Sequence, residues 1–134
     1  MTATRPKRKR NAPAAKKTRT GPGNLTKIAI AALEDMKAVN VKVMDVRKLT
    51  DVTDIMIVAT GNSDRHVKSI ADRVIERCRE AGRRAHGVEG QREGEWVLVD
   101  LQDLIVHVML PRIREFYGLE KLWDMRPTRR APAA

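Results

Sequence analysis

The sequence of 134 residues is short of aromatic residues and of cysteine. Its only aromatic side chains are Trp96, Phe116, Tyr117 and Trp123, so we expect a core of aliphatic residues. The single cysteine, Cys78, excludes an internal disulfide, and one cysteine with three histidines gives no Cys/His zinc cluster. No apolar run approaches the ~20 residues of a membrane span. No apolar stretch follows the basic start, as it would in a signal peptide.

Acidic residues are missing from both ends of the chain, and this locates its net charge of +10. Residues 1–23 hold eight basic side chains and residues 126–134 hold three, with no acid in either segment. The other 16 basic residues and all 17 acids lie in 24–125, which therefore has a net charge of −1. We predict one domain over 24–125 between two disordered basic tails, which either contact RNA phosphates or stay solvated.

Hydrophobic periodicity predicts a single α/β domain with a five-stranded mixed sheet and flanking helices. Helices are expected over 25–38 with Asn24 as cap, between Ser63 and Gly82, and from Pro111 onward with a break at Gly118. Strands are expected at 41–47, near a sheet edge, and at 54–60, 84–89, 96–101 and 104–110. The last two strands form a hairpin through Gln102 and Asp103.

Both alternating faces of this last hairpin are apolar, so both need cover in the folded protein. Three helices, one of them short, are too few to cover both faces of a five-stranded sheet. Apolar surface left open would bind a partner protein.

No pattern typical of a catalytic site stands out. Metal-dependent nucleotidyl transfer needs two carboxylates at i and i+2 of one strand, and no predicted strand has them. Asp100 and Asp103 are expected to shape the hairpin turn instead. The turn at 61–63 precedes a helix, where anions bind, but it lacks the glycine-rich patterns of nucleotide sites. Cys78 is expected in the core, and the three histidines as structural or interface residues.

Four ordered segments together carry a family resemblance. They read DVRKLTDVTDIMIVATGNSDRHVKSIAD, GVEG, EWVLVDLQDLIVHVM and REFYGLEKLW. In this order, over about 25–124, they strongly resemble the ribosomal silencing factor family, also called RsfS or Iojap. The two basic tails lie outside the resemblance.

The resemblance implies a nucleotidyltransferase-like fold without that superfamily's catalytic carboxylates, and thus no enzyme, cofactor or metal. It implies binding to the large ribosomal subunit through ribosomal protein L14, which blocks the small subunit and represses translation when nutrients run short. Homodimers are common in the family, and organellar relatives act in large-subunit assembly. A nucleotidyltransferase-like enzyme and an assembly factor are the alternatives.

The basic start of the chain is compatible with an organellar presequence only in part. Pro6, Pro13 and the tight cluster of Lys and Arg fit an amphipathic presequence poorly. We therefore expect a bacterial cytoplasmic protein.

Ribosomal proteins are typically basic, so an acidic and partly apolar patch would complement one. Trp96 lies among acids that include Glu93 and Glu95, and is either an exposed anchor or a packed residue. The expected partner-binding residues are Trp96, Glu89, Asp100, Asp103, His107, Arg65 and His66. The residues expected to pack the C-terminal helix or to form a dimer contact are Phe116, Tyr117, Leu119, Leu122 and Trp123.

Overall fold

The computed structural model describes residues 22–123, so both predicted tails lie outside the described residues. The elements are α1 (Pro22–Asp35), β1 (Val39–Asp45), β2 (Ile55–Thr60), α2 (Asp64–Glu80), β3 (Gly87–Glu89), β4 (Trp96–Asp100), β5 (Leu104–Met109), α3 (Pro111–Tyr117) and α4 (Leu119–Trp123). None of the helices within 22–123 is long and apolar enough to cross a membrane.

The five strands form one mixed sheet in the order β1-β2-β5-β4-β3. Strands β2 and β5 run parallel, and the other neighbours are antiparallel. The predicted α/β domain with a five-stranded mixed sheet is therefore confirmed, as is the edge position of β1.

The two faces of the sheet are covered unequally. Helices α1 and α2 pack on one face, the helical face, where Ile57, Val97 and Val106 belong to the main core. The opposite face, called here the second face, carries a smaller cluster that includes Met56 and Met109. Part of its cover comes from the short α3–α4 segment, so most of the helical mass protects one side.

Helix α2 forms as its sequence predicts. The Ser63 hydroxyl accepts a hydrogen bond from the His66 backbone N–H at 3.1 Å, and so caps the helix. Gly82, with φ of +89°, lets the chain turn away at the other end. Cys78 is buried in the core, and burial raises the pKa of its thiol to about 11, so it is an inert core residue.

Several element boundaries differ from the prediction. Helix α1 begins at Pro22, so Asn24 lies inside the helix rather than capping it. Proline suits a first helical turn because the missing N–H would have no partner there. Strand β3 starts at Gly87, which places His86 before the strand. The β4–β5 turn has three residues, 101–103, and Gln102 adopts a φ of +78° in it.

Candidate docking surface

Trp96, the first residue of β4, lies on the second face opposite Met109 of β5. Its indole N–H donates to Nδ1 of His107 at 2.9 Å. The residue is half-buried and packs against the second-face cluster. Trp96 thus combines a packed ring with accessible surface, so neither of the two expected roles excludes the other.

His107 holds the Trp96 indole by this hydrogen bond, and almost none of its own side chain is exposed to solvent. It is only 5% exposed, and burial lowers its pKa to about 4. The ring is therefore neutral at pH 7, and because Nδ1 accepts the indole hydrogen bond, the proton sits on Nε2. His107 orients the indole rather than contacting a partner.

Three of the four aromatic residues meet at the surface. The Tyr117 ring lies 5.1 Å from the Trp96 ring, and the Phe116 ring lies 5.0 Å from that of Tyr117, edge to face. Phe116 is 79% exposed and Tyr117 57% exposed. We call Trp96, Phe116 and Tyr117 the aromatic patch. Large exposed aromatic groups of this kind typically anchor protein interfaces.

Two roles were expected for Phe116 and Tyr117. Their exposure contradicts packing of the C-terminal helix, whereas a dimer contact stays a prediction. Helix α3 turns Ile113 toward the sheet, and the mostly exposed Phe116 and Tyr117 follow three and four residues later. The helix is only seven residues long and ends at Gly118, whose φ is +56°. A single inward residue suffices for so short a helix, and its remaining apolar rings stay outside.

Three exposed glutamates lie on β3 and on the turn that leads to Trp96. Glu89 of β3 lies opposite Leu98 of β4, on the strand that Trp96 begins. Glu93 lies in the following turn, and Glu95 is 3.8 Å from Arg112 of α3. We call these three exposed residues, Glu89, Glu93 and Glu95, the acidic rim. They supply the negative charge that favours a basic partner.

Asp100 and Asp103 serve the β4–β5 turn, as the sequence suggests. The Asp100 carboxylate accepts from the Gln102 backbone N–H at 2.8 Å. Arg83 donates to the Asp103 carboxylate at 3.1 Å. Trp96 begins β4 and Asp100 ends it, so the turn and the aromatic patch lie at opposite ends of one strand.

Arg65 and His66 lie in the first turn of α2, which packs on the helical face. The start of this helix lies against Gly94, two residues before Trp96. Both ring nitrogens of His66 are engaged inside the protein: Nδ1 accepts from the Asn62 N–H at 2.9 Å, and Nε2 lies 2.7 Å from the Met36 carbonyl. His66 therefore fastens the start of α2 to the end of α1. Arg65 is exposed.

Sequence reasoning missed Arg114, which holds α3 in place. Its largely buried guanidinium donates to the Asn40 carbonyl at 2.6 Å and to the Thr60 hydroxyl at 2.8 Å. It also forms two hydrogen bonds with Glu120 of α4, at 2.7 and 3.1 Å. The available signal was its place in the segment REFYGLEKLW, which carries the family resemblance and also contains Glu120. Through these contacts Arg114 fixes the helix that carries Phe116 and Tyr117.

A cleft of about 280 Å³ with polar and apolar walls lies beside Arg114, where the parallel strands β2 and β5 end. Asn40, Thr60, Asn62 and Glu120 contribute to its walls. Over residues 22–123 no group of three or more His, Cys, Asp or Glu could hold a metal ion. The walls of the cleft offer both hydrogen-bond donors and hydrogen-bond acceptors.

Comparison with known proteins gives a consistent result. A family model described as "Ribosomal silencing factor during starvation" matches residues 19–133. The chain is 50% identical over 99 residues to "Ribosomal silencing factor RsfS" of Chromobacterium violaceum, covering 74% of this chain and 81% of that protein. A crystal structure of a Chromobacterium violaceum protein superposes with a TM-score of 0.77 at 46% identity, covering 80% of this chain and 90% of that one.

A more distant relative bears a different name. The chain is 29% identical over 100 residues to the mouse "Mitochondrial assembly of ribosomal large subunit protein 1". The match covers 72% of this chain and 44% of the mouse protein.

Proposed function

Because this chain belongs to the ribosomal silencing factor family, we propose that it binds the large ribosomal subunit and blocks its joining to the small subunit. The partner on the subunit is ribosomal protein L14, and the setting is a bacterial cytoplasm short of nutrients. The family match over residues 19–133 supports this proposal, and it includes the whole domain and most of the C-terminal basic segment, which was expected to lie outside the resemblance. The mechanism is steric, and no chemical step is required of the chain.

The aromatic patch and the acidic rim form the docking surface in this proposal. The exposed rings of Phe116 and Tyr117 lose water contact when a partner covers them, and this apolar burial favours binding. The exposed acidic rim steers a basic protein toward the patch and raises the association rate. Asp100 lies on the same strand as Trp96 and extends the negative charge along β4.

Steric exclusion explains how so small a domain silences a large particle. Once the factor occupies the surface that the small subunit needs, the two binding events exclude each other. The degree of repression then follows from the concentration of the factor relative to its dissociation constant. In this mechanism the exposed surface of Trp96 contributes to repression through binding affinity and through no chemical step.

The central test is sedimentation with purified large and small subunits. We expect the protein to comigrate with free large subunits and to lower the yield of joined ribosomes in proportion to its occupancy. The Phe116→Ala variant removes a ring that is 79% exposed, so it should fold normally and bind more weakly. The Trp96→Ala variant should lose ~1–3 kcal/mol of binding free energy, about 5- to 150-fold in affinity.

A matched control is available at the other end of the sheet. Val52 is a 72% exposed apolar residue in the β1–β2 loop, away from the end of β4 where Trp96 lies. The Val52→Ala variant should bind as the unmodified chain does. Equal affinity of folded Phe116→Ala and Trp96→Ala variants would remove the aromatic patch from the docking surface. A chain that never comigrates with large subunits would refute the proposal as a whole.

A role in large-subunit assembly is the second candidate, supported by the name of the mouse relative. An assembly factor binds immature particles in preference to finished ones. Deletion of the chain from its host should then cause immature large subunits to accumulate during rapid growth. A silencing factor predicts normal particles and excess translation under starvation, so one set of gradients separates the two roles.

A nucleotidyltransferase-like enzyme is the alternative from another class. The cleft at the ends of β2 and β5 is the place where such a sheet binds small ligands, and it includes Asn62 of the turn before α2. We propose that the chain has no such activity. Titration with nucleoside triphosphates and Mg²⁺ should give no binding signal, and saturable binding would favour the enzyme.

The family resemblance also carries the expectation of a homodimer. Light scattering on the purified chain tests it directly. A dimer has twice the chain mass of 15.1 kDa, and a value equal to the chain mass would contradict this expectation.

A further inference from the structure

Arginine is concentrated where α2 ends and the chain turns toward β3. Residues 77–86 contain four arginines and one histidine but a single acid, Glu80. The surrounding domain, 24–125, carries a net charge of −1. This segment is therefore a local positive region on a nearly neutral domain.

The segment has a defined backbone. Gly82 adopts the left-handed conformation, and the Arg83 N–H donates to the Cys78 carbonyl at 2.9 Å, which turns the chain back on the last turn of α2. The His86 N–H then donates to the Asp100 carbonyl at 2.6 Å and fixes the entry to β3. Arg77 and Arg79 thus lie at the end of α2, and Arg83 and Arg84 lie in a turn that backbone hydrogen bonds fix at both ends.

Two of the four arginines are used by the fold itself. Arg77 donates to the Asp35 carboxylate of α1 at 2.8 Å. Arg83 donates to the Leu101 carbonyl and to the Asp103 carboxylate, both at 3.1 Å. Their charges are therefore largely balanced by acids of the protein.

The other two arginines face solvent. Arg79 and Arg84 are exposed, and no ion pair within residues 22–123 balances either of them. The one acid of the segment, Glu80, lines the shallow groove between α1 and α2 together with Ile28. We call Arg79 and Arg84 the basic corner.

A purely structural role accounts for only half of this corner. A cation in the last turn of a helix is stabilised by the helix dipole, and Arg79 occupies such a position. The carbonyls at this end already accept backbone hydrogen bonds from residues 81–83. Arg84 lies beyond the helix, where the dipole gives no reason for a cation.

We propose that the basic corner contacts the phosphate backbone of RNA. The planar guanidinium group matches phosphate oxygens in a two-pronged hydrogen bond, and each of the two exposed guanidinium groups can bind one phosphate. Residues 77–86 contain no Phe, Tyr or Trp to stack on a base, so the contact is to the backbone and reads no sequence.

This inference rests on the proposed function, because the RNA that the corner contacts would be the RNA of the large ribosomal subunit. Gly87, just after the corner, pairs with Asp100, whereas the aromatic patch starts at Trp96. At about 3.3 Å per residue, Trp96 and Asp100 lie roughly 13 Å apart along β4, and the corner precedes the strand that pairs with the Asp100 end. One domain can then touch a ribosomal protein with the patch and neighbouring RNA with the corner.

The test compares two full-length variants with the same loss of charge. Arg79→Gln/Arg84→Gln removes the corner, and Arg47→Gln/Lys48→Gln removes two exposed charges from the β1–β2 loop. Affinity for large subunits is measured at several salt concentrations from about 50 to 200 mM. Removal of the corner should make the slope of log affinity against log salt shallower by about 1 to 2. The loop variant should keep the slope of the unmodified chain.

A second probe separates failure of this proposal from failure of the proposed function. The same three proteins are titrated with poly(U) over the same salt range. If the unmodified chain binds no large subunits, the proposed function fails, and the poly(U) slopes alone decide the role of the corner. Equal slopes for the corner variant and the unmodified chain overturn the inference. So does a corner variant that only melts at a lower temperature, because that result indicates a structural role.

Discussion

The pair formed by Trp96 and His107 shows how one buried residue prepares another for binding. The neutral imidazole accepts the indole N–H, so this polar group of Trp96 is satisfied inside the protein. A buried indole N–H without a partner would cost roughly 1–3 kcal/mol. The accessible part of Trp96 can therefore act as an oriented apolar surface.

The low pKa of His107 predicts a pH-dependent stability. The unfolded chain takes up this proton near pH 6.5, whereas the folded chain does so near pH 4. The stabilisation is complete above pH 6.5 and is lost as the pH falls to about 4, for a total of about 3 kcal/mol. Urea unfolding across this range measures it. The His107→Asn variant keeps an acceptor for Trp96 but should lose this part of the pH dependence. An unchanged pH profile in that variant would contradict the assignment.

Arg114 is the single residue on which the position of α3 depends most. We expect Arg114→Ala to lower the free energy of unfolding by about 2–4 kcal/mol. The change leaves the Thr60 hydroxyl and the Asn40 carbonyl without this donor, and it removes the cation that faces the half-buried Glu120. Arg112 lies two residues earlier on the same helix and is largely exposed. Arg112→Ala should change the free energy of unfolding by less than about 0.5 kcal/mol. Chemical denaturation of both variants gives the comparison, and similar losses would refute the clamp.

Among the strands, the two edges of the sheet are both protected against pairing with other chains. The pairing of β1 with β2 is irregular between Val39 and Lys42, where Asn40 takes a φ of +50°. A bulge and a lysine on an edge strand both hinder strand addition. The other edge strand, β3, has only three residues. The accessible surface for a partner is therefore the aromatic patch and the exposed side chains near it rather than an edge of the sheet.

The conformation of the turn between β3 and β4, which precedes Trp96, depends on Gly90. This glycine has a φ of +86°, and a Cβ atom there would lie 2.0 Å from the Trp96 carbonyl oxygen. Gly90→Ala should therefore destabilise the fold by more than about 2 kcal/mol. Gly87→Ala is the matched control, because a Cβ at Gly87 meets nothing within 4 Å. Thermal unfolding of the two variants tests this expectation. Equal melting temperatures would contradict it and show that the turn relaxes freely.

As a whole, the molecule divides its tasks between the two faces of one sheet. The helical face holds the larger core, built from aliphatic side chains and Cys78. The second face carries the smaller cluster and the aromatic patch beside it. Stability and binding thus reside largely in different layers, so changes at the patch can alter affinity without unfolding the domain.

The basic tails should add affinity without selecting the partner. Residues 1–21 carry all eight basic side chains of the N-terminal segment. We expect a chain that lacks these residues to bind large subunits still, with a shallower dependence on salt because fewer phosphates are contacted. Sedimentation at several salt concentrations measures this. Complete loss of binding at low salt would instead place recognition in the tail.

Periodic segments were predictable because their signals are local. One short segment of sequence was enough to predict each of three features. These are the cap at Ser63, the apolar stripe of α2 and the continuous apolar run of β2. The start of α1 was misplaced because Asn24 is a good cap and Pro22 an equally good first residue. The packing role expected for Phe116 and Tyr117 was wrong because helical spacing indicates packing without showing how much sheet remains to pack against.

What can be read from the chain alone is therefore the α/β class, the strand near an edge, the aliphatic core and the split of charge between tails and domain. These features follow from composition and from patterns a few residues long. The aromatic patch, the burial of His107, the Arg114 clamp and the basic corner needed the folded protein. Each joins residues far apart in sequence, such as Trp96 and Tyr117 or Asn40 and Arg114, and no local pattern encodes their distance in space.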